Sequence, residues 1–278
     1  MRALLADVWA SPTGRIGMVL TAAILLFITF GPLVTPNPNL LAVQAKFLPP
    51  SLAHPMGTDN LGRDLLARAA QGTRAAVLIA VAVVALSSVI GALLGVIAGL
   101  LGGWIDRAIL IIFDIISAYP PVILAMGIVA LYGTGASNLL LVVTILFLPQ
   151  FGRMARAQTL SLRNQPFVDA ERILGLGTAR LVTRHLLPNV VGPLIVLASM
   201  NVPVVITIEA GLSFLGLGVQ PPQASLGTLI KDGYIYLDQS WWPTIGAAAI
   251  LAITTLGATL FGEALRDASD PKRKGGFQ

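Results

Sequence analysis

Apolar residues in this chain neither alternate nor recur on one helical face. They run in uncharged blocks close to the roughly 20 residues that a helix needs to cross a bilayer, separated by polar breaks. The first block covers about Ile16 to Val34 and is closed by Pro32, Pro36 and Pro38, because proline lacks the N–H a helix interior requires. A polar connector follows, and Ala75 to Ile105 is then free of charge. Gly102 to Asp106 is a turn, and a third block runs from Arg107 to about Leu131, with Tyr119-Pro120-Pro121 predicted to bend it. After the turn Gly133 to Asn138 a fourth block spans about Leu139 to Phe151, and the longest polar break, Arg153 to Pro188, follows it. The fifth block is about Val190 to Glu209, an amphiphilic stretch covers Gly211 to Ser240, and the sixth block runs from Trp241 to about Gly262. Trp241-Trp242 sits where an aromatic belt meets the membrane interface. The pattern predicts an all-α polytopic membrane protein with six transmembrane helices. Its segments are an N-terminal piece (1–15), a first span (16–34), a connector (35–74), a core of five spans (75–262) that includes the break at 152–189, and a tail (263–278).

Composition agrees. Hydrophobic residues make up 55% of the chain and charged ones 11%, against about a quarter in soluble domains, and the mean hydropathy is +0.82. The 18 Lys and Arg against 13 Asp and Glu invite a nucleic-acid reading, but their positions oppose it. Six spans put both termini on one side with the 102–107 turn and the 153–188 break. Of the 18 basic residues only Lys46, Arg63, Arg68, Arg74 and Lys231 fall on the other side, leaving 13 on the first, so both termini and the break are expected in the cytoplasm. Arg2 and Arg15 before an apolar block resemble a signal peptide, yet Ile16 to Val34 is long for one and no small-residue cleavage site follows; a retained first span is expected. Zero cysteines exclude disulfides, thiolate metal sites and cysteine nucleophiles.

Four glycines, Gly91, Gly95, Gly99 and Gly103, recur every fourth residue and predict a helix face that another backbone can approach closely. Asp114 and Glu209 are ionisable residues within or at the ends of spans, where charge is costly. Both are candidates for a translocation path; the structural alternatives pair Asp114 with Arg107 or a neighbouring chain and leave Glu209 at the outer surface. Within the long break, Pro166 can open a helix at its first position, Asp169 and Glu171 favour its N-terminal dipole, Gly175 and Gly177 stop it, and Thr178 can cap a second helix ending at Pro188. A helix–turn–helix that presents Ala170 to a partner protein is the expected form. No G-x-x-x-x-G-K-[ST] occurs, so the chain has no P-loop of its own, and His54 and His185 have no metal-ligand spacing; neither catalytic residues, nor a metal, nor a cofactor is expected on this chain.

Asp169-Ala170-Glu171, three residues, Gly175, nine residues and His185-Leu186-Leu187-Pro188 together resemble the EAA loop of binding-protein-dependent ABC importer permeases. Asp169 stands where that family usually has Glu, and Glu171 where it usually has Ala. HPMGTDNLGRD (54–64), GTRAAV, GGWIDR, SFLGLGVQPP (213–222) and EALRDASDPK (263–272) extend the likeness to the C-type permeases of dipeptide, oligopeptide and nickel importers. The resemblance implies a type I ABC importer permease fold in a bacterial or archaeal cytoplasmic membrane, paired with a B-type permease, two ATPase subunits that carry ATP and Mg, and an external substrate-binding protein. It further implies that Asp169, Ala170, Glu171, Gly175, Leu187 and Pro188 couple the chain to the ATPases and that the subunit is not itself an enzyme. A nickel or other small-solute importer shares the same motifs. A proton-driven secondary transporter using Asp114 and Glu209 would be expected to show internal repeats, which the sequence lacks, and an intramembrane enzyme would need a nucleophile and base.

Overall fold

The computed structural model describes residues 2–163, 165, 166 and 182–269. A short helix α1 (Arg2–Ala10) turns at Ser11 into α2 (Pro12–Val34). The Ser11 hydroxyl accepts from the Gly14 amide at 3.0 Å, and Pro12 occupies the first turn where its missing N–H costs nothing. The connector contains one 3-10 turn, Val43–Ala45.

Helix α3 (Leu65–Leu101) begins some ten residues before the expected start at Ala75, because Asp64 caps it: its carboxylate accepts from the Ala67 amide at 2.8 Å. At 37 residues it is about 55 Å long, far more than the roughly 30 Å hydrocarbon layer. Arg68 and Arg74, assigned to the connector from sequence, therefore stand on a polar extension of this helix. Gly102, at φ +66°, ends α3, with its amide on the Ala98 carbonyl. Helix α4 (Gly103–Ala118) follows directly, and the chain breaks at Tyr119-Pro120 before α5 (Pro121–Tyr132), which leaves at 96° to α4.

Helix α6 (Ala136–Arg163) continues through Pro149 and carries on past Phe151, so residues 153–163, expected in the polar break, are helical. A π-helical turn at Val182–Leu186 leads into α7 (Leu187–Phe214). Pro188 lies in the first turn of α7 rather than closing a preceding helix, a position that proline tolerates. Helix α8 (Leu226–Ile235) opens with a reciprocal cap between Ser225 and Thr228, and α9 (Trp242–Ser269) completes the described chain. Among the described residues five helices (α2, α3, α6, α7 and α9) are long and apolar enough to span a membrane, and the bent pair α4–α5 makes a sixth.

The main core lies where α3, α6 and α7 meet, with Val83, Val96, Val143, Phe151, Val190 and Ile206 buried among them. Helices α2 and α9 form a second close pair: a Cβ on Gly17 would meet the Phe261 amide at 2.5 Å, and one on Gly257 would meet Leu20 Cβ at 2.9 Å. Helix α8 seats Leu229 against Ala69 of α3 and Ala247 of α9. Ile111, Ile112, Ile115, Ile123 and Met126 of α4 and α5 are exposed, as are Leu25 and Phe30 of α2 and Val89 and Leu93 of α3.

Candidate functional site

Asp169, Ala170, Glu171 and Gly175 lie outside the described residues. The structure does place the two ends of the segment that holds them. Leu186 is completely buried and packs on Leu100, Leu162 and Val182, so the departing end of α6 and the start of α7 meet at the foot of α3. Leu187 is half-buried against the main core, and Pro188 is exposed.

Three arginines on α6 run from this end along α4. Arg156 donates twice to Asp106, from Nε to Oδ1 at 2.5 Å and from Nη2 to Oδ2 at 2.6 Å. Arg153 donates to Asp114 at 2.8 Å and to the Ser117 hydroxyl at 3.3 Å. Arg163 donates to the last carbonyls of α3, Gly99 at 3.1 Å and Leu100 at 3.3 Å. Asp114 is thus paired with Arg153, not with Arg107. Residues seven apart on a helix are about 10 Å apart along its axis, whereas the antiparallel packing of α6 on α4 brings Arg153 alongside. The same contacts explain why α6 stays helical to Arg163, since its charged end finds partners. The two acidic residues eight apart on α4 and the basic pair 153/156 were a signal for this contact that the hydropathy pattern does not register.

The glycine face of α3 lies on α6. A Cβ on Gly91 would meet the Leu148 carbonyl oxygen at 2.9 Å, one on Gly95 would fall on the Gly152 carbonyl oxygen, and one on Gly99 would meet Thr159 Cβ at 2.9 Å. Gly103 takes no part: it lies past the break, at φ +59°, and nothing stands within 4 Å of its Cβ position. On the opposite side of this contact Gly152 makes room for the ring of Phe113, which is almost fully buried.

Glu209 is completely buried, not at an outer surface. Its Oε1 accepts from the Ser213 hydroxyl at 2.8 Å, and that hydroxyl oxygen in turn accepts from the Val219 amide at 3.2 Å. Helix α8 closes over it, with Gly227 so near that a Cβ would fall on the Ala210 carbonyl oxygen. Open clefts lie instead between α7 and α9. One of about 800 Å³ is lined by Met154, Pro193, Val196, Leu197, Met200 and Arg266, and it adjoins at Met200 a smaller one lined by Thr207, Thr255, Thr259 and Glu263. Neither Asp114 nor Glu209 lines them.

At the far end of the molecule the 54–64 motif folds into a polar knot. Asp59 accepts from the amides of Leu61 and Arg63, each at 2.9 Å, and from Arg63 Nε at 2.6 Å, with Arg68 Nε at 3.5 Å. Arg68 also reaches the Pro38 carbonyl and Asn39 Oδ1, both at 3.4 Å. His54 Nδ1 lies 2.8 Å from Asp64 Oδ2. Gly57 and Gly62 supply the positive φ that these turns need. Burial pushes the nearby Asp232 carboxyl above its usual range, with Arg68 and Arg63 pulling against that shift. Among the described residues no three His, Cys, Asp or Glu side chains form a group that could hold a metal ion.

Comparison with known proteins places these features in context. Residues 91–275 match the family described as binding-protein-dependent transport system inner membrane component. The chain is 38% identical over 266 residues to the probable D,D-dipeptide transport system permease protein DdpC of Escherichia coli (strain K12), covering 95% of this chain and 89% of that one. It is 39% identical over 260 residues to the oligopeptide transport system permease protein OppC of Mycobacterium bovis, covering 91% and 88%. Among solved structures it is similar to a chain of the inward-facing MetNI methionine ABC transporter, with a TM-score of 0.50 and 20% identity over 69% of this chain and 94% of that one; at that identity the likeness concerns the fold.

Proposed function

The chain belongs to the family of binding-protein-dependent transport system inner membrane components, and from that premise we propose that it forms, with a partner permease, the membrane pathway of an ATP-driven importer of di- or oligopeptides. The observation that carries this reading is similarity along nearly the whole chain to permeases named for dipeptide and oligopeptide transport. ATP and Mg belong to two separate ATPase subunits, and an external binding protein delivers the solute. The polar segment between α6 and α7, with Asp169, Ala170, Glu171 and Gly175, is the part that the ATPases grip; Leu186 and Leu187 root its returning end in the protein, so that force on the segment reaches α6 and α7 together. Both termini face the cytoplasm on the balance of 13 basic residues against five, Lys46, Arg63, Arg68, Arg74 and Lys231, among the 18. Family membership leaves the proton-driven alternative without support.

The test is uptake into proteoliposomes holding the full complex with its binding protein. Radiolabelled dialanine and trialanine are expected to enter only when ATP is supplied to the ATPase side. Accumulation of nickel but of neither peptide, or peptide uptake driven by a proton gradient without ATP, would contradict the proposal.

A further inference from the structure

The three arginines of α6 are not absorbed by a coupling role for the loop alone. Arg153, Arg156 and Arg163 are spaced so that, at about 100° per residue, they fall within about 80° of one another on the helix. Arg163 and Arg156 meet the α3–α4 junction, and Arg153 meets the far end of α4 at Asp114 and Ser117. One holds a carboxylate with both arms of its guanidinium, a geometry that lysine cannot copy; one caps the end of α3; the third joins an exposed pair in which the Asp114 side chain is 68% exposed. Exposed pairs add little to stability, so that third contact is better explained by what it positions. Between the two ion pairs, the ring of Phe113 sits over Gly152, where a side chain would not fit. Helix α4 is therefore held to α6 at Asp106, Phe113 and Asp114 and cannot slide along it without lifting that ring. Beyond Ala118 the contact with α6 passes to α5. The helix breaks at Tyr119-Pro120 by 96°, and α5 buries few side chains, Ala125 and Val129 among them.

We propose that Arg156 and Asp106, flanked by Arg153–Asp114 and by Arg163 on the α3 carbonyls, form a strut that carries displacement of α6 into α4. These are positioning residues: they bind one another and the α3 carbonyls, and they fix how α4 follows α6 at each stroke. The proposal rests on the reading of the segment after α6 as the ATPase-coupling loop.

The experiment uses the full complex in proteoliposomes, measuring dialanine taken up per ATP hydrolysed and the ATPase subunits retained on purification. Asp106→Asn is expected to keep the ATPases and their hydrolysis while uptake per ATP falls about tenfold, the scale of one lost charge-assisted pair. The exchange Asp106→Arg with Arg156→Asp is expected to restore most of it. Asp114→Asn, on an exposed side chain that does not threaten folding, is expected to lower the ratio about twofold. A parental ratio in both Asp106→Asn and Asp114→Asn would overturn the strut, as would a loss in Asp106→Asn that the exchange fails to repair. If Asp106→Asn does not assemble, Asp114→Asn decides: a lowered ratio supports the strut and an unchanged one overturns it. Gly175→Val, run in parallel, separates the two ideas, since a variant there that keeps its ATPases and transports normally contradicts the loop and not the ion pairs.

Discussion

Arg68 is among the largest side chains that the fold buries completely, and it is charged. Burying an ion pair is weak evidence for stability, because desolvation offsets much of the attraction. What the cluster around Arg68 provides is register: Asp59, Arg63 and Arg68 tie the connector to the first turn of α3, and Asp232 brings α8 into the same field. Asp232 gives a test with a defined sign. Its carboxyl titrates above the ordinary 3.8 in the folded protein, chiefly because it is buried, so folding favours the neutral acid. Its contribution to stability is fully present below that ordinary value and is lost as pH rises through the higher folded one. Thermal unfolding of the purified protein should therefore show the parent losing more Tm than Asp232→Asn as the pH is raised above the ordinary carboxylate value. Parallel pH profiles for the two proteins would contradict the assignment.

At the scale of elements, the tightest contact is between α3 and α6, and glycine makes it possible. Alanine is worth about 1 kcal/mol more than glycine in a helix interior when it has room. Gly192 on α7 has nothing within 4 Å of its Cβ position, whereas a Cβ on Gly95 would fall on the Gly152 carbonyl oxygen. Gly192→Ala should leave Tm unchanged or raise it; Gly95→Ala should lower stability by about 1–3 kcal/mol through overpacking. Shifts of the same sign in thermal unfolding would sink the contact as described. These elements also mark how far sequence carries. The uncharged block at Ile16–Val34 lies within α2, that at Trp241–Gly262 lies within α9 except for Trp241, and Tyr119-Pro120 is a break, because hydropathy and proline act locally. The start of α3 was illegible: Leu65 to Arg74 mixes polar and apolar residues, and only Asp64 as a cap and Arg68 in a buried cluster make it helical. Residues 153–163 read as loop because their arginines look solvated until α4 supplies carboxylates. Asp114's partner and Glu209's burial depend on which helices pack together, and spacing along the chain does not encode that.

For the whole molecule, the breadth of its exposed apolar surface is the informative feature. Large apolar side chains are exposed on α2 (Leu25, Phe30), α3 (Leu86, Val89), α4 (Ile111, Ile115), α5 (Ile123, Met126) and α9 (Ile253, Leu256), the kind of surface a subunit offers to lipid or to a neighbour rather than to water. In the proposed importer the work of ATP enters from separate subunits, and the ends of α6 and α7 that would receive it meet at Leu186. The measurement that tests this most directly is made on Gly175→Val. Valine removes the backbone freedom of glycine and adds bulk where the proposed partner would grip. In the purified complex this variant should insert normally in the membrane, lose its ATPase subunits on co-purification, and lose dialanine uptake in proportion. A Gly175→Val complex that retains its ATPases and imports dialanine at the parental rate would contradict the coupling role on which the account rests.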